Sequence, residues 1–136
     1  MVVIIIILVL VVGLVFAIKA STKKEPSVED ERLKRPDGDY EWYKLTGMQF
    51  RGLNKNDYGI FEGKAIAETN NQYDRYAVGI HRADNGKLIG YIRKEENKEL
   101  HKYIMKNGGS VHANFRIWER DGYIHACAYV NQEVER

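Results

Sequence analysis

Apolar residues follow three successive patterns along this chain. Met1 to Ile18 reads MVVIIIILVLVVGLVFAI, with no charge and a single glycine, Gly13. About 18 apolar residues is near the minimum that crosses a bilayer core as a helix. Its β-branched residues are no obstacle, because in lipid the backbone must satisfy its own hydrogen bonds. The pattern then disappears. Residues 19–39, KASTKKEPSVEDERLKRPDGD, hold both prolines, mixed charge and few large apolar side chains. Such a segment cannot bury enough surface to offset its ordering entropy, so it reads as a polar linker. A short helix near Val28–Leu33 is compatible with it.

From residue 40 to residue 136 the apolar positions return, mostly with period two. Trp42 to Phe50 reads as a strand, and Tyr58 to Glu68 as the next. In the latter, Phe61, Gly63, Ala65 and Ala67 share a face, since strand side chains alternate. Tyr76, Val78 and Ile80 share a face in a third strand. Ala83-Asp84-Asn85-Gly86 follows, and Asn-Gly tolerates the positive φ of a tight hairpin turn. Leu88 to Ile92 returns as the fourth strand. The period then switches: in Lys94 to Asn107, Asn97, Leu100, Tyr103, Ile104 and Asn107 fall at helical spacing, and Gly108 supplies a stop. Ser110–Glu119 and Gly122–Val130 alternate again about Arg120-Asp121-Gly122. The order β-β-β-α-β-β with short connections predicts a mainly β fold. A small barrel or strongly curved sheet with one helix closing an end fits it.

Length and composition sharpen this picture. With 136 residues there is room for one domain. A cleaved signal peptide would need a basic n-region and a small-residue cleavage site. Only Met1 precedes the apolar run, and Ile18-Lys19-Ala20 is a poor cleavage site, so an uncleaved anchor is the better reading. Lys19, Lys23 and Lys24 follow the span and nothing basic precedes it, which places the C-terminal part in the cytoplasm of a single-pass membrane protein. The lone cysteine, Cys127, asks for no oxidising compartment. A formal net charge of +2 argues against a large non-specific DNA binder, which needs many phosphate contacts.

Several segments together carry a resemblance. They are Leu45-Thr46-Gly47-Met48-Gln49-Phe50, then Gly63-Lys64-Ala65-Ile66-Ala67-Glu68, then Asn70-Asn71-Gln72-Tyr73-Asp74 with Ala77-Val78. Last comes Gly86-Lys87-Leu88-Ile89-Gly90-Tyr91-Ile92 with Arg93-Lys94. In this order and spacing, over about residues 43–130, the chain resembles the HIRAN domain. The resemblance implies a modified OB-like β-barrel. HIRAN domains occur fused to helicase-like ATPases and alone in bacteria, and in fork-remodelling helicases they hold the 3′ end of single-stranded DNA. No G-x-x-x-x-G-K-[ST] sequence occurs in this chain, so an ATPase is not carried over.

The resemblance implies a site at Phe50, Asn70, Asn71, Tyr73, Asp74 and Lys94. Asp74 could accept a hydrogen bond from a 3′-hydroxyl. Tyr73 and Phe50 offer stacking surfaces, and Asn70 and Asn71 can shape the loop and donate to a phosphate. The competing reading is structural: Asn and Asp cap turns with their own backbone, and Tyr73 could anchor the loop inward. Two departures stand out. The DNA-end-binding members carry a basic residue where this chain has Gln49, and Phe50 lacks a hydroxyl. Lys44, Arg51, Arg75, Arg93 and Lys94 are cations that either compensate or form a solvated surface. Four histidines with one cysteine fall short of a usual zinc ligand set, and no cofactor is expected. Neither Cys127 with His125 nor Asp74 with Glu68 makes a catalytic constellation. The expectation is therefore a membrane-tethered nucleic-acid-binding module. The alternative is a protein-interaction adaptor on the same scaffold.

Overall fold

A computed structural model describes residues 32–133. Within them, six strands form a closed antiparallel barrel in the order β1-β4-β3-β2-β5-β6, with β6 returning to β1. The strands are β1 (Tyr40–Thr46), β2 (Gly59–Ala67), β3 (Val78–Arg82), β4 (Leu88–Ile92), β5 (Ser110–Arg120) and β6 (Tyr123–Asn131). One helix, α1 (Asn97–Lys106), stands between β4 and β5. Closure removes the open sheet edges that would otherwise seed aggregation.

Alternation decides what fills the barrel. Ala65, Val78, Ile80, Ile89, Ala113, Phe115, Ala126, Ala128 and Val130 are fully buried in one cluster. Leu100 and Ile104 of α1 join them from the helical face that sequence spacing predicts. Gly63 is the tight point. A Cβ there would lie 2.5 Å from the His81 carbonyl oxygen and 2.7 Å from the Phe115 ring. The strand therefore needs glycine where the β3 backbone and the largest core ring converge.

Turn chemistry accounts for the hairpins. Asp121 and Gly122 both have positive φ, 54° and 80°, joining β5 to β6 in the hand that suits strand twist. In the β3–β4 turn, Gly86 has φ 72° and its N–H donates to the Arg82 carbonyl. That turn is braced from outside. Asp57, 4 % exposed, accepts from Lys87 Nζ at 2.9 Å and Arg82 Nη1 at 3.3 Å, and from the Asn54 N–H at 3.0 Å.

Some boundaries differ from the sequence expectation. The first strand ends at Thr46, not Phe50, because Gly47 takes a left-handed conformation (φ 79°) and starts the 3-10 turn Met48–Phe50. That turn buries Met48 and throws Phe50 outward, 74 % exposed. Tyr76 precedes β3 rather than sharing its buried face. The helix begins at Asn97, after a turn through residues 94–96.

The residues before β1 pack on the outside of the barrel. Leu33 is 3 % exposed and sits with Trp118 and Cys127, flanked by Trp42 and Tyr129. Cys127 is thus buried beneath this segment, while its neighbours Ala126 and Ala128 face the interior. Lys44 and Arg116 lie over the Trp118 ring at 4.8 and 4.6 Å. Among the described residues no helix is long and apolar enough to cross a membrane. The candidate span 1–18, and the linker as far as residue 31, lie outside the described residues.

Candidate functional site

The β2–β3 loop, the turn after β1 and the end of β4 enclose a groove of about 590 Å³. Asn70, Asn71, Gln72, Tyr73 and Asp74 form one wall. Thr46 and Arg51 come from the first strand and its turn, and Tyr91, Ile92 and Lys94 from β4 and the segment after it. Five of the six residues that the sequence singled out therefore meet on one surface. Phe50 is not in the groove lining. It stands exposed immediately before Arg51, which is.

The loop is folded by its own side chains. Asn71 Oδ1 accepts from the Tyr73 and Asp74 N–H groups at 2.9 and 3.0 Å, and Asn71 Nδ2 donates to Glu68 at 3.0 Å. Asp74 Oδ1 accepts from the Tyr76 N–H at 3.0 Å. The Glu68 N–H to Ala77 carbonyl bond, 2.9 Å, closes the loop's base. For Asn71 the turn-forming role that Asx residues favour is what the geometry displays. Asn70 is exposed at the rim.

Tyr73 points outward, 91 % exposed. The inward-anchor alternative for this ring is thereby removed. Asp74 is half-buried, and its second oxygen accepts from Asn97 Nδ2 at 2.6 Å. Asn97 is 1 % exposed, so the first turn of α1 fixes the carboxylate from beneath. One turn later His101 Nδ1 meets the Ala77 carbonyl at 3.1 Å. Each Asp74 oxygen thus has one protein donor, and a carboxylate offers about four acceptor positions. The carboxylate is held in place and retains accepting capacity toward the groove.

Tyr91 also lines the groove, a residue that sequence reasoning did not place in the site, while Glu68 sits at the loop's base behind Asn71. Burial pushes the Tyr91 hydroxyl pKa up, and the Glu68 carboxylate that it contacts pushes it further, against a smaller opposing effect of Arg51. The Tyr91 hydroxyl thus lies beside the Glu68 carboxylate. Its ring carries the Arg51 guanidinium at 5.6 Å. Alternation along β4 could have marked Tyr91 as the outward partner of buried Ile92. Nothing local in the sequence pairs Asn97 with Asp74.

The histidines lie apart. His81 contacts the Gly86 carbonyl, His112 the Tyr40 hydroxyl, and His125 stacks on Trp118. Among the described residues no group of three His, Cys, Asp or Glu could hold a metal ion. What the groove offers is a fixed acceptor, an outward ring and cationic walls, an arrangement suited to binding a polar, anionic, ring-bearing ligand.

A family model described as HIRAN domain matches residues 10–134. No curated protein and no solved structure matches the chain.

Proposed function

The chain belongs to the HIRAN domain family, and from this premise we propose that its groove binds single-stranded DNA at a free 3′ end. Membership alone points to a nucleic-acid-binding module; the strand and its end are the finer reading. The observation that carries it is the pairing of Tyr73, 91 % exposed, with the fixed Asp74 carboxylate beside it. A ring left in water has nothing to pack on until a ligand arrives. Base stacking on such a ring contributes about 1–3 kcal/mol. The carboxylate accepts a hydrogen bond from the terminal 3′-hydroxyl, and a 3′-phosphate brings a charge of the same sign to the same place. Phe50 gives a second exposed ring, Lys94 a cation at the rim, and Asn70 an amide donor for the backbone.

Two further elements belong to this reading. Residues 1–18 act as a single membrane anchor, and the lysines behind them keep the domain on the cytoplasmic side. Labelling a cysteine introduced at Ser21 from outside intact cells overturns that orientation; protection supports it.

The functional test is direct. The full chain in detergent is titrated with labelled oligonucleotides that end in a 3′-hydroxyl or a 3′-phosphate. Preference for the hydroxyl, lost in Asp74→Ala without loss of fold, supports the reading. Equal affinity for both ends removes end recognition. Absence of binding to either removes the nucleic-acid reading and favours the adaptor.

A further inference from the structure

The groove contains a cation whose chemistry the proposed site residues leave unused. The 3-10 turn after β1 fixes where it points. Gly47 adopts φ 79°, Met48 is buried, and the Arg51 N–H donates to the Met48 carbonyl at 3.1 Å. The Met48 side chain packs so closely on Gly90 of β4 that a Cβ there would lie 3.2 Å from its sulfur. The turn is thus clamped between β1 and β4. Gln49 and Phe50 face solvent, while Arg51 enters the groove wall.

There the guanidinium rests over the Tyr91 ring at 5.6 Å. Its Nε is buried and has no hydrogen-bond partner among the described residues. A buried donor without an acceptor costs free energy, on the order of 1–3 kcal/mol. The two Nη groups have no partner among the described residues and are not buried, so they are the donors that a ligand oxygen in the groove meets. The neighbouring carboxylate does not supply one: Glu68 accepts from Asn71 Nδ2 at 3.0 Å. Arginine's planar fork matches a phosphodiester, which presents two non-bridging oxygens.

We propose that Arg51 is the phosphate-binding residue of this groove, with its two Nη groups donating to the non-bridging oxygens of a single internucleotide linkage. This rests on the single-strand reading above and adds its backbone contact. Gln49, two residues earlier, is turned to solvent. Lys94, exposed at the rim, supplies long-range attraction rather than a fixed bond.

The test uses the full chain and a short oligothymidylate with a free 3′-hydroxyl. One linkage at a time is replaced by an uncharged methylphosphonate. With wild type, replacement at one particular linkage is expected to weaken binding about tenfold or more. Arg51→Gln is expected to lose a similar factor with the unmodified strand and nothing further with that methylphosphonate. Its salt slope should fall by about 0.7, the value for one phosphate contact on a single strand. Arg51→Lys keeps the slope but loses the linkage-specific coupling, because it keeps the charge without the planar fork. Urea midpoints equal to wild type establish that both variants fold. If Arg51→Gln binds like wild type, or its loss multiplies with every methylphosphonate, the assignment to Arg51 is wrong while strand binding stands. If wild type binds no strand, the reading and this assignment fall together.

Discussion

Replacing Asn97 by Asp tests how the Asp74 carboxylate is held, because the change is nearly isosteric and inverts one interaction. Asn97 Nδ2 donates to Asp74 Oδ2 at 2.6 Å, and Asn97 is 1 % exposed. Asn97→Asp sets two carboxylates at that spacing. At an effective dielectric of about 20, two unit charges 2.6 Å apart repel by about 6 kcal/mol. The pair avoids this by keeping one proton, which then bridges the oxygens. Holding that proton raises one folded-state pKa well above the usual carboxylate value of about 3.9. The sign follows. A group with a raised folded-state pKa contributes stability that is fully present below its unfolded value and is lost as pH rises through the raised one. The variant should therefore approach wild type near pH 4 and fall behind as pH rises. Relaxation of the half-exposed Asp74 should reduce the full repulsion to about 3 kcal/mol at pH 8. Urea unfolding of both proteins at stepped pH measures this as a midpoint difference growing to about 1–3 M. A midpoint difference that stays constant with pH, or no difference, would refute the contact and with it the account of a carboxylate fixed from α1.

Other predictions concern the barrel that carries the groove. Gly63→Ala forces a Cβ to within 2.5 Å of the His81 carbonyl and should cost at least about 2 kcal/mol, lowering Tm by about 8–16 °C in a thermal scan; an unchanged Tm contradicts the close approach. Burial of Asp57 would raise its pKa, but the Asn54 N–H, Lys87 and Arg82 outweigh this and hold it below the usual value. Its stabilisation should be present above pH about 4 and lost as pH falls through the lowered value, so acid should weaken wild type more than Asp57→Asn in urea titrations. Leu33→Ala should cost about 2–4 kcal/mol and speed thiol labelling of Cys127, the chain's one cysteine; labelling as slow as in wild type would mean that Leu33 does not shield it.

Which parts of this molecule can be read from its sequence follows from how far each interaction reaches. The β3–β4 and β5–β6 hairpins are local. Asn85-Gly86 and Asp121-Gly122 carry their own turn chemistry, and the β5–β6 register keeps residue numbers summing to 243, as in Trp118 with His125. That sum lies within the range that simple antiparallel counting from the turn gives. The α1 face is legible for the same reason, since Leu100 and Ile104 repeat at helical spacing. Closure of β1 onto both β4 and β6 is not local, and neither is the end of β1. Phe50 continues an apolar pattern in the sequence, yet the left-handed Gly47 turns the chain before it. Leu33 is one of the few apolar residues in a polar stretch, and the aromatic outer face formed by β1, β5 and β6 gives it a place to pack.

In the site the same rule separates what was visible from what was not. The turn residues 70–74 form one short stretch, and Asn71 organises it through bonds two and three residues long. Whether Tyr73 faced inward or outward depended on the core, which is filled by Phe115 and its neighbours without it. Asn97 lies 23 residues from Asp74, on a helix whose apolar face is the feature that sequence displays. Arg51 looked like any of several surface cations until the turn after Gly47 directed it into the groove.

The central claim is that this groove binds a nucleic-acid strand. Titration of isotope-labelled full chain with a single-stranded oligothymidylate, followed through backbone amide NMR shifts, tests it most directly. The account predicts saturable shifts centred on residues 46–51, 70–77 and 91–97, which Tyr73→Ala weakens by about 1–3 kcal/mol. Shifts centred elsewhere on the barrel, such as around the exposed Ile60 and Tyr123, or none at all, would contradict it.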